Sequence, residues 1–260
     1  MYDYNIYQKF LKDGYVIIPK VIDRNLVEEA RSHISWLMKK HPDTPPEDLN
    51  YWLINSDPFW YRLISDQCLL DVAEAIIGPN IVHFGSHYFA KPPRTGQAVL
   101  WHQDAAYQKL MPSDGVISIW VALDDSTPEN GCLRVIPKTH HLPVKQMVKT
   151  PPEYKLLKEA LDQTIIDETK AVDLILQPGD VSVHHSYLIH GSGKNESNQW
   201  RRGIAIRYMP PSTTINHDNW DCAYLVRGKS VNNTNKYQTI PVYIEGQHMP
   251  FKGAKELKEV

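Results

Sequence analysis

The stretch Val99-Leu100-Trp101-His102-Gln103-Asp104 sets an imidazole and a carboxylate two residues apart at the end of an apolar run. On an extended strand, residues i and i+2 share a face, so His102 and Asp104 are expected to project together. Such a pair supplies two corners of the two-histidine, one-carboxylate facial triad, which holds non-haem Fe(II) and leaves coordination positions open. A second His-x-Asp, His41-Pro42-Asp43, occurs in the same chain. Its proline cannot donate to a strand ladder, and the proline-rich stretch from His41 to Pro46 reads as a loop. The first pair is therefore the metal candidate.

The chain has twelve histidines, and the third corner must come from one of the eleven besides His102. His190 closes the apolar run Tyr187-Leu188-Ile189 and precedes Gly191-Ser192-Gly193, small residues that let other groups come close. His184 and His185 are rivals, and for each of these histidines a hydrogen-bonded core role is the ordinary alternative. Eleven residues after His190 begins Arg201-Arg202-Gly203-Ile204-Ala205-Ile206-Arg207-Tyr208. Alternation sets Arg201, Gly203, Ala205 and Arg207 on one face. An arginine beside glycine and alanine is suited to a two-pronged grip on a carboxylate, against the alternative of an ordinary surface salt bridge.

These residues need strands to carry them. Short β-like runs occur at 15–18, 81–84, 87–90, 98–101, 116–123, 132–136, 171–176, 181–185, 187–190 and 203–209, separated by proline, glycine and asparagine turns. Two amphipathic helices precede most of them. Asp23 caps the first, with Leu26, Val27, Ala30, Ile34, Leu37 and Met38 on one face; the second runs from Asp66 to Ile77 and stops at Gly78-Pro79. A third helix is expected over 151–163, from the spacing of Tyr154, Leu156, Leu157, Ala160 and Leu161. From Pro210 onward the chain reads as polar and irregular, apart from the apolar stretch 239–244. Many short strands argue for a sandwich, barrel or jelly roll. We expect one domain over 1–260, mainly β with flanking helices: a helical region at about 20–80, a β core at about 81–210 and an extension over 211–260.

At 260 residues with 42% hydrophobic and 22% charged content, the composition is that of a soluble globular protein. A net charge of −2 gives no reason to invoke nucleic acid or an anionic membrane as partner. Three scattered cysteines without CxxC spacing suggest a reducing compartment, and no apolar run is long enough for a signal peptide or membrane span. A cytoplasmic protein is the expectation.

Taken in order, Trp101-His102-Gln103-Asp104, Asn130-Gly131-Cys132-Leu133, Gly179-Asp180 and His190-Gly191-Ser192-Gly193-Lys194-Asn195, followed by Arg201, resemble the phytanoyl-CoA dioxygenase family over roughly residues 12–210. The resemblance implies a double-stranded β-helix (a cupin-like jelly roll) and an Fe(II)- and 2-oxoglutarate-dependent dioxygenase that uses O2 as second cosubstrate, with ascorbate as a stimulant. It makes His102, Asp104 and His190 the iron ligands and Arg201 the partner of the distal 2-oxoglutarate carboxylate. Ser192, Trp120 and His87 match positions around the cosubstrate. Related halogenases carry a small residue in place of the carboxylate ligand, so Asp104 favours oxygenation. One departure is Pro137-Lys138-Thr139-His140, where the family usually has Pro-Gly-Ser-His. Strand parity and proximity nominate Lys91, Gln97, Gln103, Tyr107 and Arg207 as substrate contacts. Arg207, on the face of Arg201, points to an anionic or zwitterionic small molecule or pairs with an internal carboxylate. The expected product chemistry is hydroxylation with release of succinate and CO2, in a monomer or homodimer. The competing readings are a metal-dependent jelly-roll isomerase or 2-oxoglutarate-independent dioxygenase, and a non-catalytic small-molecule binding sandwich.

Overall fold

The computed structural model describes residues 4–50, 57–113, 115–216, 220, 223–231 and 235–256. Two antiparallel sheets face each other. The larger runs in the order Tyr15–Ile18, Val181–His185, Ile117–Ala122, Arg201–Met209, Ile81–Lys91 and Tyr224–Arg227, with Leu49–Asn50 also paired to Ile81–Lys91. The smaller runs Val172–Leu174, Leu133–Val135, His190–Ser192 and Val99–His102. This is the expected jelly roll, with the flanking helices on the outer face of the larger sheet.

Both faces of the larger sheet are covered, which explains why 116–123 is apolar throughout rather than alternating. Ile117, Ile119 and Val121 join Ile204, Ile206 and Tyr208 in a core shared with the helices. The opposite parity, Trp120, Ala122 and Ala205, packs against Leu133, Val135 and Leu174 of the smaller sheet. Helix α1 (Tyr4–Asp13) leads into the first strand, ahead of the point near residue 20 where helical structure was expected. Helix α2 (Arg24–Lys40) is capped as expected, Asp23 accepting from the Leu26 amide at 2.8 Å. It buries Leu26, Val27, Ala30, Ile34 and Leu37, each large side chain contributing about 1.5–3 kcal/mol of transfer free energy. Helix α3 (Pro58–Ile64) and helix α4 (Gln67–Ile77, capped by Asp66) complete this layer.

Three expectations are corrected. Residues 151–163 form no α-helix; a single 3-10 turn starts only at Gln163. Glu159–Ala160 pairs with Val148–Lys149, and Leu161 donates its amide to the Trp101 carbonyl at 2.9 Å. The leucines serve two destinations, Leu161 under Trp101 and Leu156 and Leu157 over the pocket described below, and their helix-like spacing is incidental. Tyr187 and Leu188 lie in a turn, and the strand starts only at His190. Nor is the tail structureless: Tyr224–Arg227 adds to the larger sheet, Thr214–Ile215 pairs with Leu110–Met111, and Phe251 packs on Phe59 at 5.4 Å. The apolar stretch 239–244 is irregular. Cys68 and Cys132 are free thiols, and Cys222 lies outside the described residues.

Lys138, at the departure from the family's glycine, has φ +67° and ψ 0°, a left-handed conformation that opens a short 3-10 turn. A lysine there carries a Cβ clash that glycine lacks, partly offset by glycine's greater unfolded-state freedom. Lys138→Gly is expected to stabilise the fold by up to about 1 kcal/mol, read as a higher midpoint in urea unfolding. A lower midpoint would count against the strain.

Candidate metal centre

His102 and His190 are cross-strand partners in the smaller sheet, with ring centroids 4.1 Å apart. Each is oriented by its own backbone: Nδ1 of His102 donates to the Leu100 carbonyl at 2.8 Å, and Nδ1 of His190 to the Leu188 carbonyl at 2.9 Å. A carbonyl can only accept, so in each ring the proton sits on Nδ1 and the Nε2 lone pair is free for a metal. Burial lowers the His102 pKa. The same burial, aided by the neighbouring His102 and His184, holds His190 well below the ordinary imidazole range. Both rings are thus neutral, the form that ligates.

Asp104 reaches this pair by another route than strand alternation. The strand ends at His102, and Asp104, at φ −54° and ψ −40°, opens the single turn α5 (Ala105–Gln108). The buried Gln103 makes this turn: its amide donates to the Tyr187 carbonyl at 2.7 Å and accepts from the Lys145 amide at 2.9 Å. The donor atoms of His102, Asp104 and His190 nevertheless converge within 4.8 Å of one another. Burial alone would raise the Asp104 carboxyl. The Arg207 guanidinium outweighs it and holds the group well below the ordinary carboxylate range. Two neutral imidazoles and one ionised carboxylate, all buried, fit a divalent first-row metal. His41-Pro42-Asp43, at the end of α2, is not in this cluster.

The larger sheet supplies the floor in cross-strand rows. One row sets His184, Ser118, Arg207 and Gly85 side by side; the next sets Ser182, Trp120, Ala205 and His87; then Ala122, Gly203 and Phe89; and last Arg201 and Lys91. Asp104 stands on the first row. Ser118 Oγ donates to its Oδ2 at 2.6 Å, Arg207 Nη2 reaches its Oδ1 at 3.4 Å, and His184 Nε2 lies 3.7 Å from Oδ2. Ser118 was missed by the sequence reading, yet it has the parity of Trp120 two residues on and is a hydroxyl within an apolar run. His184, weighed there as a rival ligand, is a neighbour of the cluster; neither of its ring nitrogens has a hydrogen-bond partner.

Arg201 lies at the other end of the pocket, buried, with its guanidinium 5.3 Å from the Trp120 ring centre. A Cβ at Gly203 would collide with the Trp120 indole, so glycine admits the ring. Arg201 Nε is buried without a partner, and burial lowers the group's pKa to about 10. An unpaired buried guanidinium donor calls for an anion. Ser192 lines the same pocket and accepts from Lys91 Nζ at 2.7 Å; Lys91 also bonds the Gly193 carbonyl. Burial and the facing Arg201 hold the Lys91 pKa well below its usual value. Gly191 permits the close strand approach anticipated for it, a Cβ there meeting the Val99 carbonyl at 2.9 Å.

The remaining candidates divide. Tyr107, Arg207 and His87 border a second chamber on the far side of the ligand cluster. Gln103 is spent on backbone, while Gln97 accepts from the Lys155 amide at 3.4 Å and borders neither chamber. Phe84, Trp220, Leu156 and Leu157 join that chamber from segments that carried no chemical signal in the sequence.

A jelly roll whose two sheets enclose a buried His-Asp-His cluster and an unpaired arginine defines a double-stranded β-helix protein whose three donors could hold a single metal ion. The chain belongs to the phytanoyl-CoA dioxygenase (PhyH) family, whose model matches residues 10–203. It is 31% identical over 178 residues to human peroxisomal phytanoyl-CoA dioxygenase, an alignment covering 65% of this chain and 48% of the human protein. The chain thus spans about half the length of the mammalian relatives it matches. A Caenorhabditis elegans phytanoyl-CoA dioxygenase domain-containing protein 1 homolog is 24% identical over 274 residues, covering 84% of this chain and 94% of its own. Among solved structures, the non-heme monooxygenase ThoJ in its apo form superposes with a TM-score of 0.77 at 25% identity, over 91% of this chain and 88% of that one. EctD from S. alaskensis with bound Fe shares the fold, with a TM-score of 0.66 at 21% identity over 83% of this chain and 79% of that one.

His87 offers a pH test. Burial, with Arg207 nearby, lowers its pKa from 6.5 to about 4, while its Nε2 donates to the Glu47 carbonyl at 2.9 Å. Between these values the unfolded chain binds a proton that the folded one refuses. The contribution is therefore full above pH 6.5 and is lost as pH falls through 4. Metal-free protein is expected to lose up to about 3 kcal/mol from this group over that window. His87→Gln, which keeps a donor for Glu47, should lessen the loss in urea unfolding curves at pH 6.5 and 4; equal losses would refute the assignment.

Proposed function

We propose that the protein is a non-haem Fe(II)- and 2-oxoglutarate-dependent dioxygenase that hydroxylates a small-molecule metabolite. The observation that carries this is the pairing, in one buried pocket, of the His102–Asp104–His190 cluster with the unpartnered guanidinium of Arg201. Fe(II) and 2-oxoglutarate, when bound, supply the oxidation: the four electrons that reduce O2 come in pairs from decarboxylation to succinate and from the substrate C–H bond, and one oxygen atom enters each product.

The chain's own groups bind and orient. His102 and His190 present Nε2 in a tautomer set by the Leu100 and Leu188 carbonyls. Asp104 presents an ionised carboxylate steadied by Ser118. Arg201 holds the distal carboxylate of 2-oxoglutarate, with the Trp120 ring against its guanidinium and Ser192 alongside. Phe89, Val99 and Leu133 line the pocket between, limiting water around the reacting groups. The partner this reading requires is a small-molecule substrate, with no nucleic acid or membrane. No helix among the described residues is long and apolar enough to cross a membrane; we place the protein in the cytoplasm on its free cysteines and composition, as a monomer or homodimer.

Two variants test the reading. His102→Ala, retaining one imidazole and Asp104, is expected to lose stoichiometric Fe(II), measured by metal analysis after gel filtration. Arg201→Ala is expected to raise the 2-oxoglutarate concentration needed for half-maximal succinate release by roughly 10- to 100-fold, the loss of a charge-assisted contact. If metal binding persists without His102, the centre is misassigned. An unchanged 2-oxoglutarate requirement would favour a metal-dependent jelly-roll isomerase or a 2-oxoglutarate-independent dioxygenase.

A further inference from the structure

The pocket does not end at the metal-ligating atoms. Beyond His102 and Asp104 it continues into a second chamber of about 230 Å3, sharing Phe89, Val99 and Arg207 with the first. Its walls are mainly aromatic and aliphatic (Phe84, Phe89, Tyr107, Leu156, Leu157 and Trp220), with Ser86, His87 and Gln108 as polar members. Arg201, Ser192 and Trp120 border only the first chamber, so the two chambers have different chemistry. On the strand Arg201–Met209, the two arginines stand six positions apart on the same face, about 20 Å along the backbone. Both arginines line the first chamber, and only Arg207 reaches the second.

Arg207 is the only lysine or arginine among the described residues bordering the second chamber. Its sole hydrogen bond among the described residues is the long 3.4 Å contact with Asp104 Oδ1. A guanidinium carries five N–H donors, so most of its donor capacity is unspent. Its cross-strand neighbour is Gly85, which puts no side chain over it, and Trp220 closes that gap 3.5 Å from where a Cβ would stand. The charge balance points the same way. The positive charges of a divalent metal and Arg201 are matched by Asp104 and the two carboxylates of 2-oxoglutarate. The carboxylate that Arg207 touches, Asp104, is then shared with the metal, so the loaded pocket carries one positive charge in excess, and Arg207 is the cation beside mainly apolar walls, where pairing with an anion is strong.

We propose that the second chamber binds a small organic acid, with an aromatic or branched aliphatic body against Phe84, Phe89 and Trp220 and its carboxylate paired to Arg207. The inference rests on the oxygenase reading in taking this chamber as the substrate's. A chamber of this volume holds roughly a dozen non-hydrogen atoms, below the usual range for drug-sized ligands.

The test is calorimetric and needs no turnover. Protein saturated with Ni(II) and 2-oxoglutarate is titrated with 3-phenylpropanoate, indole-3-acetate and 4-methylpentanoate, and with the primary amide of each. At least one acid is expected to bind roughly tenfold or more tightly than its amide. Arg207→Met should collapse that ratio to about one, and Arg207→Lys should restore part of it. The ratio is taken at saturating metal, so any effect on metal affinity through Asp104 drops out, and the lysine variant decides alone should the methionine variant fail to hold metal. The proposal is overturned if no acid binds, if amides bind as well as acids, or if the ratio survives in the variants. It is also overturned if Arg207→Met weakens 2-oxoglutarate more than the acid, since Arg207 would then grip the cosubstrate. Succinate release with Fe(II) in air separates the two readings. Acids that bind through Arg207 without stimulating succinate sink the oxygenase, whereas amides that stimulate as well as acids sink only this inference.

Discussion

The carboxylate of Asp104 is buried, ionised and two residues past the end of a strand, and it persists there only because its charge is compensated. An isolated carboxylate at such depth would protonate and cease to be a good ligand. The compensation comes from Ser118, Arg207 and the nearby His184, three side chains on three adjacent strands in one row of the larger sheet. A one-residue slip in any of those pairings would turn a member of the row toward the helices. The register of the larger sheet is therefore a condition of the metal site, although none of the three cluster donors belongs to that sheet.

The division of labour between the sheets follows. The smaller sheet carries His102 and His190 as direct partners, so their spacing is a property of strand pairing. The larger sheet carries the cations, at opposite ends of one strand face with Gly203 and Ala205 between them. Small residues there leave room for the Trp120 ring. Inner-face polarity is tolerable because the same strands bury Ile117, Ile119, Val121, Ile204 and Ile206 beneath the helices. That apolar layer supplies the stability, and the inner face is left free to carry charge and cavities. Leu156, Leu157 and Trp220, which close the second chamber, come from outside the paired strands.

Much of this was legible in one dimension. Period-two alternation over 201–208 sorted Arg201 and Arg207 from Arg202, and the structure has that partition. Asp23 announced its helix because a capping carboxylate acts within three residues of itself. The 151–163 segment misled because helical spacing and two separate burial sites produce the same pattern in a short stretch. Tail strand Tyr224–Arg227 carried no alternating signal strong enough to stand apart from its polar surroundings, since its pairing partner lies some 140 residues earlier.

By itself the sequence determined which residue types could ligate a metal, the order His102, Asp104, His190, Arg201, the family that order resembles and the face shared by the two arginines. These are local or sequential properties, set by side-chain chemistry and strand parity. Only the tertiary structure decided that Asp104 joins the histidines through a helical turn and not by alternation, that Ser118 and Arg207 neutralise it, and that the pocket divides into two chambers, with Arg201 in one and Arg207 at the border of both. Those outcomes depend on register between strands far apart in the chain and on loops folded over them, and the free energy that selects them is burial and pairing across the whole sheet.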